Sequence, residues 1–577
     1  MERNTVFLQT EFRKALLPVM VSVLAGTVNT LIDSAFVTRR LDAKALAAVS
    51  VNMPLFLIIC VAGCFLSIGA FVASSNALGK NDIQTAGKYL HSAIFYSIFT
   101  GVLITLVGVF FSDLVASFLC SDRELMPMVS EYCKVTLIGS AAYLLAYVPA
   151  YFLQIGSKAR SMTIMMVIMI VTDVIFDWLF LYVLDWGVGG AALASVLSMA
   201  ISAVYGFIKM QLNGGVLHIS LGRIRPFDLR NILLYGSTSA VGNLMGVLRI
   251  FFLNRIIYAA GGTEGLAAWA VINSLYEIAD CITVGVPRTA SPMLGIYING
   301  HDNEGVRLMI RQEMKSGITL SVVFTLFITV FSGPIGSFFK LDQSVFTGLL
   351  CLGLSIIIAA PCAVLGAYYN MAKRIWLSNL SMIYRSFVFV VLFAWILSYT
   401  TLPIWLFLPV GMAASLLLTL LAAMRVASKS QGGKHELSGI LLLDQYLEKA
   451  GKVKGFSIVA SDETICKASA DITDFCKEHG MDRKAAARLG LSMEEVMTVM
   501  SRRSLKKEND PVDVRIYSVD DQIGLSIMCS GHEYNPFKEA EENEEDDFNM
   551  GVRMINKISK NCHYIYALGI NVLTVEF

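Results

Sequence analysis

VTDVIFDWLFLYVLDWGVGGAALASVLS, residues 171–198, sets two aspartates into one apolar run and follows it with a Trp-Gly turn and a second apolar run. Across the 577 residues, 55% are hydrophobic, 16% are charged and the mean hydropathy is +0.62, which is far from the averages of water-soluble chains. Apolar runs of about 20 residues match a bilayer core of about 30 Å. Because only helices and closed barrels satisfy their backbone groups in lipid, the sequence predicts a polytopic helical membrane protein.

The apolar runs also set the predicted topology. Twelve of them are centred near residues 27, 60, 100, 140, 172, 200, 245, 280, 325, 358, 388 and 415. Lys and Arg collect in alternate loops, with RRLDAK (39–44) as an exception, and the positive-inside rule places such loops in the cytoplasm. We therefore expect a multi-pass protein of the cytoplasmic (inner) membrane, with both termini in the cytoplasm and the lipid bilayer as its permanent partner.

An internal repeat divides the predicted spans into two sets of six. ALAAVSV (45–51) recurs as GLAAWAV (265–271), and ALGKND (77–82) is answered by INGHDN (298–303), each about 220 residues later. Parallel repeats of this kind occur in secondary transporters that alternate between two open states. The predicted parts are a six-helix bundle, a cytoplasmic linker, a second six-helix bundle, a second linker and a soluble domain, at 1–215, 216–230, 231–428, 429–453 and 454–577.

Together with the opening stretch, LIDSAFVTRRLDAKALAAVSVNMP (31–54) resembles the multidrug and toxic compound extrusion (MATE) family over about residues 10–428. The resemblance implies a cation-coupled antiporter that exports small organic compounds, cationic or amphipathic, and needs no cofactor. In the family, an acid on the first span and an Asn and an Asp on the fifth bind the coupling ion, with a small hydroxyl on the sixth span in some members. The matching residues are Asp33, Asp173, Asp177 and Ser195, so Asp173 replaces the usual Asn.

The residues themselves support a coupling role. An acid at the centre of a spanning helix costs about 2.5–3.5 kcal/mol, so by default it marks a functional site. Asp173 and Asp177 are four residues apart, on one face of the fifth span. Two like charges there cannot both be ionised cheaply, so the cluster with Asp33 would share a proton or hold Na⁺ between its oxygens. A structural hydrogen bond for Asp33 and an interfacial position for Asp177 are the alternatives.

The second bundle carries charges in its first two spans. Opposite charges on adjacent spans indicate either intramembrane ion pairs or residues that face a substrate cavity. The candidates for the substrate cavity are Glu277, Asp280 and Arg249, and Arg255 and Arg288 complete the charged set.

From residue 454 the sequence alternates strand and helix patterns, which predicts helices packed on one sheet. LGLSMEEVMTVM (489–500), CSGHEYNPF (529–537) and NMGVRMINKIS (549–559) resemble the histidine-kinase-type ATPase fold of anti-sigma-factor kinases. The resemblance implies a nucleotide site at Glu495, Gly531 and Gly551. Val499 stands where that family has an Mg²⁺-holding Asn, and Cys529 where it has an adenine-reading Asp. We therefore expect a degenerate domain without kinase activity, for which ATP is a doubtful ligand, that binds a cytoplasmic protein or, weakly, a nucleotide and regulates transport.

Other classes of function are less well supported. The net charge is +1 and no basic run with interleaved aromatics occurs, so nucleic acid is not an expected partner. The cysteines lack metal-ligand spacing. Two alternatives remain: a flippase for lipid-linked oligosaccharide, which Arg249, Arg255 and Arg288 would favour, and a membrane sensor whose output is the tail. We expect a monomer that is not an enzyme.

Overall fold

The computed structural model describes residues 3, 6–40, 43–80, 82–119, 125–155, 159–212, 217–334, 344–431, 437–443, 452–478, 482–505, 510–519, 522–542, 549–567 and 569–577. Up to residue 431 it is built of helices. These are α1 (Val6–Arg40), α2 (Ala43–Leu78), α3 (Ile83–Leu119), α4 (Met126–Ile138), α5 (Ser140–Ile155), α6 (Ala159–Asp177), α7 (Gly187–Gln211), α8 (Leu229–Asn299), α9 (Asn303–Val330), α10 (Ser344–Met371), α11 (Ile375–Ile383), α12 (Phe389–Leu397) and α13 (Phe407–Gln431). Two π-helical turns, Trp178–Val183 and Tyr384–Val388, follow α6 and α11.

The helices confirm the predicted fold class. Among the described residues, nine helical segments are long and apolar enough to cross a membrane, and α4 with α5, bent by 48°, makes a tenth. The predicted first and eighth spans are helical but are not among these ten. The eighth span is the part of α8 that follows Gly262, where φ is +60° and the helix breaks. It carries Glu277, Asp280 and Arg288, and these charges lower its hydropathy.

The two halves of the membrane part meet where α2 packs against α8. A Cβ at Gly69 would lie 1.9 Å from the Ile232 carbonyl oxygen, and one at Gly79 would lie 2.1 Å from the Gly295 carbonyl oxygen. Backbones can approach this closely only because glycine has no side chain. The Asn299 amide also donates a hydrogen bond to the Asn76 amide oxygen over 2.8 Å. The halves are therefore tightly closed at this end of the bundle.

The C-terminal part folds as a small α+β domain, as predicted. The short helix α14 (Leu437–Ile440) precedes it, and its own helices are α15 (Asp462–Glu478), α16 (Arg483–Arg503), α17 (Pro536–Glu542) and α18 (Met550–Ile558). Its strands are β1 (Lys452–Val459), β2 (Pro511–Val519), β3 (Gln522–Ser530), β4 (Asn561–Ala567) and β5 (Ile570–Glu576), which form an antiparallel sheet of order β1-β2-β3-β5-β4. Alternate residues along each strand face opposite sides, so the sheet has two apolar faces to cover.

Each face of the sheet has its own cover. Leu525 and Ile527 on β3 belong to a buried cluster with Met493 and Val496 of α16. On the other face, Met528, Ile565, Ile570 and Val572 belong to the same hydrophobic cluster as Phe7 and Phe12 of α1. One hydrophobic cluster therefore joins this face of the sheet to the start of α1.

Candidate functional site

The two aspartates of the fifth span lie inside the first half of the membrane part. Asp173 and Asp177 have 0% and 1% of their surface exposed, so other parts of the protein cover them and neither faces lipid. The Asn29 amide, on α1, donates a hydrogen bond to Oδ2 of Asp173 over 2.5 Å. Within the described part of the chain, Oδ2 of Asp177 is buried without a hydrogen-bond partner. The structure thus places two acids in an enclosed position, where one oxygen of Asp177 has no hydrogen-bond partner among the described residues.

The backbone changes form at this pair. Asp177 ends α6 and is followed directly by the π-helical turn Trp178–Val183. π-Helical turns are rare in proteins, and many of those that occur are at functional sites. The extra residue in such a turn shifts the side chains that follow it. The second half has the same feature in its fifth span, where Tyr384–Val388 is π-helical. The internal repeat therefore extends to an unusual local geometry.

The other two predicted members of the coupling site are less fully placed. Asp33 lies in α1, but its side chain is outside what the structure describes, so its link to the aspartates stays a prediction. The Ser195 hydroxyl donates to the Ala191 carbonyl of its own helix over 3.5 Å, and no contact from it to the aspartates is found among the described residues. Asn29, one helical turn before Asp33, was missed, although the spacing of four indicates a shared face.

No group of three or more His, Cys, Asp or Glu side chains with metal-holding geometry occurs among the described residues. The predicted Na⁺ set of Asp33, Asp173 and Asp177 includes one side chain that lies outside them. The side chains that are described, the two carboxylates and the amide of Asn29, offer oxygen atoms of the kind that Na⁺ prefers as ligands. A carboxylate oxygen without a hydrogen-bond partner among the described residues could equally take up a proton.

In the second half, the predicted charges occupy separate places. Arg249 is buried with its guanidinium 4.2 Å from the centre of the Tyr276 ring, and Arg255 is exposed against Phe251. The Asn273 amide donates to Glu277 over 3.2 Å, and the Thr283 hydroxyl donates to Asp280. No ion pair within 4.0 Å joins these arginines to these acids in the described part of the chain. The sequence allowed two interpretations of Glu277, Asp280 and Arg249, namely that they form ion pairs or that they line a substrate cavity. Both interpretations stay predictions.

A cavity of about 150 Å³ lies between the two halves. Its walls come from α2, α5, α8, α10, α11 and the π-helical turn Tyr384–Val388. Two arginines, Arg288 and Arg385, line it, whereas the described lining contains no Asp or Glu. Of the three arginines that would favour a flippase, only Arg288 lines this cavity.

Sequence reasoning missed Arg385, and it also missed Glu313 of α9, which is fully buried with both carboxylate oxygens unpartnered among the described residues.

In the C-terminal domain, the structure brings together two of the three predicted nucleotide-site residues. A Cβ at Gly551 would lie 2.0 Å from Oε2 of Glu495, whereas Gly531 packs against Ser504 instead. Val499 and Cys529 are both in the hydrophobic core, and burial raises the pKa of the Cys529 thiol to about 12. Apolar core packing thus occupies the two positions where the ATPase family has its Mg²⁺-holding Asn and adenine-reading Asp. The resemblance to that family stays a prediction.

The domain joins the membrane part through a buried cluster of charges. Arg3 donates two hydrogen bonds to Asp302, over 2.8 and 2.9 Å, and its Nε lies 3.1 Å from both carboxylate oxygens of Asp513 in β2. Arg515, also in β2, donates to the carbonyls of Gly300 and His301 over 2.6 and 2.7 Å. The four side chains are at most 8% exposed. We call Arg3, Asp302, Asp513 and Arg515 the junction cluster.

Comparisons with known proteins agree with this architecture. The MatE family profile matches residues 18–179. The chain is similar to the multidrug export protein MepA of Staphylococcus aureus (strain NCTC 8325), with 23% identity over 332 residues that cover 57% of this chain and 73% of MepA. It is similar in fold to a crystal structure of MATE in complex with MaL6, with a TM-score of 0.68 at 22% identity, covering 73% of this chain and 96% of that one. It is also similar to the outward-facing conformation of a multidrug resistance MATE family transporter of the MOP superfamily, with a TM-score of 0.68 at 21% identity, covering 74% and 99% of the two chains.

Proposed function

Because this multi-pass membrane protein belongs to the MATE family of transporters, we propose that it is an antiporter that couples the export of small organic compounds to the entry of H⁺ or Na⁺. The proposal has three elements: the identity of the coupling ion, the site that binds this ion, and the role of the C-terminal domain. We also propose that the protein lies in the cytoplasmic (inner) membrane with both termini in the cytoplasm, as the positive-inside rule predicts.

The observation that carries the proposal is the enclosed acid pair of α6. Asp173 and Asp177 are covered by protein, Asn29 of α1 donates to Asp173, and one oxygen of Asp177 is unpartnered among the described residues. A cation that enters this place cancels the like-charge repulsion, so filling and emptying the pair changes the energy of the surrounding helices. One charge moving through 100 mV releases about 2.3 kcal/mol, which sustains a roughly fifty-fold substrate gradient.

The test of coupling uses the full chain in proteoliposomes with one gradient imposed at a time. An H⁺ gradient and a Na⁺ gradient are each applied at zero membrane potential, and export is followed for one aromatic cation, benzylammonium, and one aromatic anion, benzenesulfonate. One of the two gradients should accelerate export of at least one of the two solutes several-fold over vesicles without protein. If neither gradient accelerates either solute, coupled export is contradicted.

We further propose that the C-terminal domain regulates export by holding the two halves together. Its sheet belongs to one hydrophobic cluster with α1 of the first half, while Arg515 and, through Arg3, Asp513 bind the turn between α8 and α9 of the second half. In the linker that leads to the domain, the carbonyls of Leu441 and Ile440 accept hydrogen bonds from the hydroxyl groups of Tyr368 and Tyr369 on α10. A domain that contacts both halves at one end resists their separation there, and alternating access requires that separation.

The junction cluster gives this regulation a direct test. Removing one partner of a buried ion pair costs about 3–5 kcal/mol, because the remaining charge is left unpaired. Arg3→Gln should therefore release the domain and raise the rate of gradient-driven export, whereas Arg13→Gln, at an exposed position of α1, should leave the rate unchanged. An Arg3→Gln protein that exports no faster than the parent would contradict a restraining role.

A further inference from the structure

The cavity between the two halves presents positive charge without a negative partner. Arg288 and Arg385 both line it, the described lining has no carboxylate, and no ion pair to either arginine is found in the described part of the chain. Arg288 rests on the Tyr151 ring at 3.8 Å, and a terminal nitrogen donates to the Ala150 carbonyl. Arg385 is 6% exposed, with a terminal nitrogen 3.3 Å from the sulfur of Met382. Two enclosed guanidinium groups without a counter-ion are costly unless an anion joins them.

Unpartnered polar atoms in the same cavity indicate what such an anion must offer. Among the described residues, Nε of Arg288, Oγ1 of Thr238 and Oδ1 of Asn370 are buried without a hydrogen-bond partner, and all three residues line the cavity. The first two are donors, so an anionic oxygen would satisfy both. Asn370 is held by its amide nitrogen, which donates to the Tyr235 carbonyl over 3.0 Å, so its oxygen stays available as an acceptor.

Most of the rest of the cavity wall is apolar, although the hydroxyl residues Ser239, Thr283, Ser291 and Ser381 also line it. Ile68, Phe71, Val72 and Pro287 are among the lining residues. A volume of about 150 Å³ is close to that of a cavity known to hold a single benzene ring. The two arginines and the mostly apolar wall suit a compact amphipathic molecule.

We propose that this cavity is the substrate site and that it takes a small organic anion, an apolar or aromatic body that bears one sulfonate, carboxylate or phosphate. This proposal rests on the proposed function and names its substrate class. It departs from the cationic substrate that the sequence led us to expect, because two uncompensated guanidinium groups repel a cation. Arg288 and Thr238 bind the anionic group from α8, and Arg385 binds it from the π-helical turn Tyr384–Val388.

Direct binding tests the proposal without requiring any gradient. Calorimetric titration of the full chain in phosphatidylcholine nanodiscs compares benzenesulfonate with benzylammonium, which has a similar body and the opposite charge. The parent should bind benzenesulfonate at least tenfold more tightly. Arg288→Gln and Arg385→Gln should each weaken that binding about tenfold or more, whereas Arg288→Lys retains part of it. Arg255→Gln, a matched loss of an exposed charge on α8, should bind like the parent.

The outcomes separate this proposal from coupled export. Equal or tighter binding of benzylammonium by the parent overturns the anion site, whatever the variants do, and leaves gradient-driven export intact. Unchanged benzenesulfonate binding in both glutamine variants overturns it as well. A repeat in nanodiscs with phosphatidylglycerol identifies the source of the anion. Loss of benzenesulfonate binding there shows that a lipid headgroup occupies the site, and unchanged binding shows a soluble anion.

Discussion

The side-chain amide of Asn29 donates a hydrogen bond over 2.5 Å to Asp173, a residue 144 positions later in the chain, and joins α1 to α6 at the buried acid pair. This contact fixes the orientation of one carboxylate. Asp177, one turn further along α6, keeps an oxygen without a partner among the described residues. Within the part of the chain that the structure describes, the two acids therefore have different surroundings, and Asp173 is the one that accepts a hydrogen bond from another helix.

Loss of that donor should impair coupling more than folding. Asn29→Ala should lower gradient-driven export about tenfold, since a hydrogen bond to a charged group contributes about 1.5–3 kcal/mol. Ser22→Ala is the matched control on α1, because among the described residues the Ser22 hydroxyl bonds within its own helix, to the Val19 carbonyl over 2.7 Å. Equal export rates for the two variants would show that the contact to Asp173 is dispensable.

The closed contact between the halves predicts a steric effect at Gly79. Its Cβ would lie 2.1 Å from the Gly295 carbonyl oxygen, so Gly79→Ala must push α2 away from α8. Asn76 and Asn299 are hydrogen-bonded over 2.8 Å beside it, and an Asn76→Cys, Asn299→Cys pair reports the distance through its disulfide yield. Gly79→Ala should reduce that yield several-fold. Gly246→Ala, where a Cβ meets nothing within 4 Å, should not reduce it.

The domain core predicts the reactivity of its thiols. Burial raises the pKa of Cys529 to about 12, so at pH 8 nearly all of it is the unreactive thiol and iodoacetamide should not label it in the folded protein. Cys466 is exposed and should be labelled under the same conditions, although the nearby Glu494 raises its pKa too. Mass spectrometry of peptides reads both sites. Rapid labelling of Cys529 before unfolding would mean that an open pocket, and not the core, contains this position.

The sequence predicts the local elements well, because hydrophobic period and run length act within a few turns of chain. The apolar run that contains Asp173 and the strand patterns around Leu525 both appear as predicted. It also predicts which acids are unusual, since a carboxylate in an apolar run is visible without a structure. That Asp173 and Asp177 are covered by protein depends on packing among α1, α6 and α7, which no local pattern shows.

Contacts between distant segments are what sequence reasoning missed. Arg3 looks like an ordinary charge before a membrane helix, yet it binds Asp302 and Asp513, and nothing near it in sequence indicates either partner. Arg385 sits in an apolar span like Arg249, but only the fold shows that Arg385 lines the inter-bundle cavity. Long-range pairing of single charges leaves no periodic signal.

The most direct test of coupling compares three single substitutions in proteoliposomes under an imposed ion gradient and under solute exchange without a gradient. Asp173→Asn and Asp177→Asn remove one charge each from the buried pair. Asp185→Asn is the control, because Asp185 is exposed and pairs at the surface with Arg40 over 3.0 Å. Asp177→Asn should keep gradient-free exchange and lose at least 90% of the acceleration by the gradient, roughly a tenfold loss, whereas Asp185→Asn keeps both. Full acceleration in Asp177→Asn and Asp173→Asn would contradict the assignment of the buried acids to coupling.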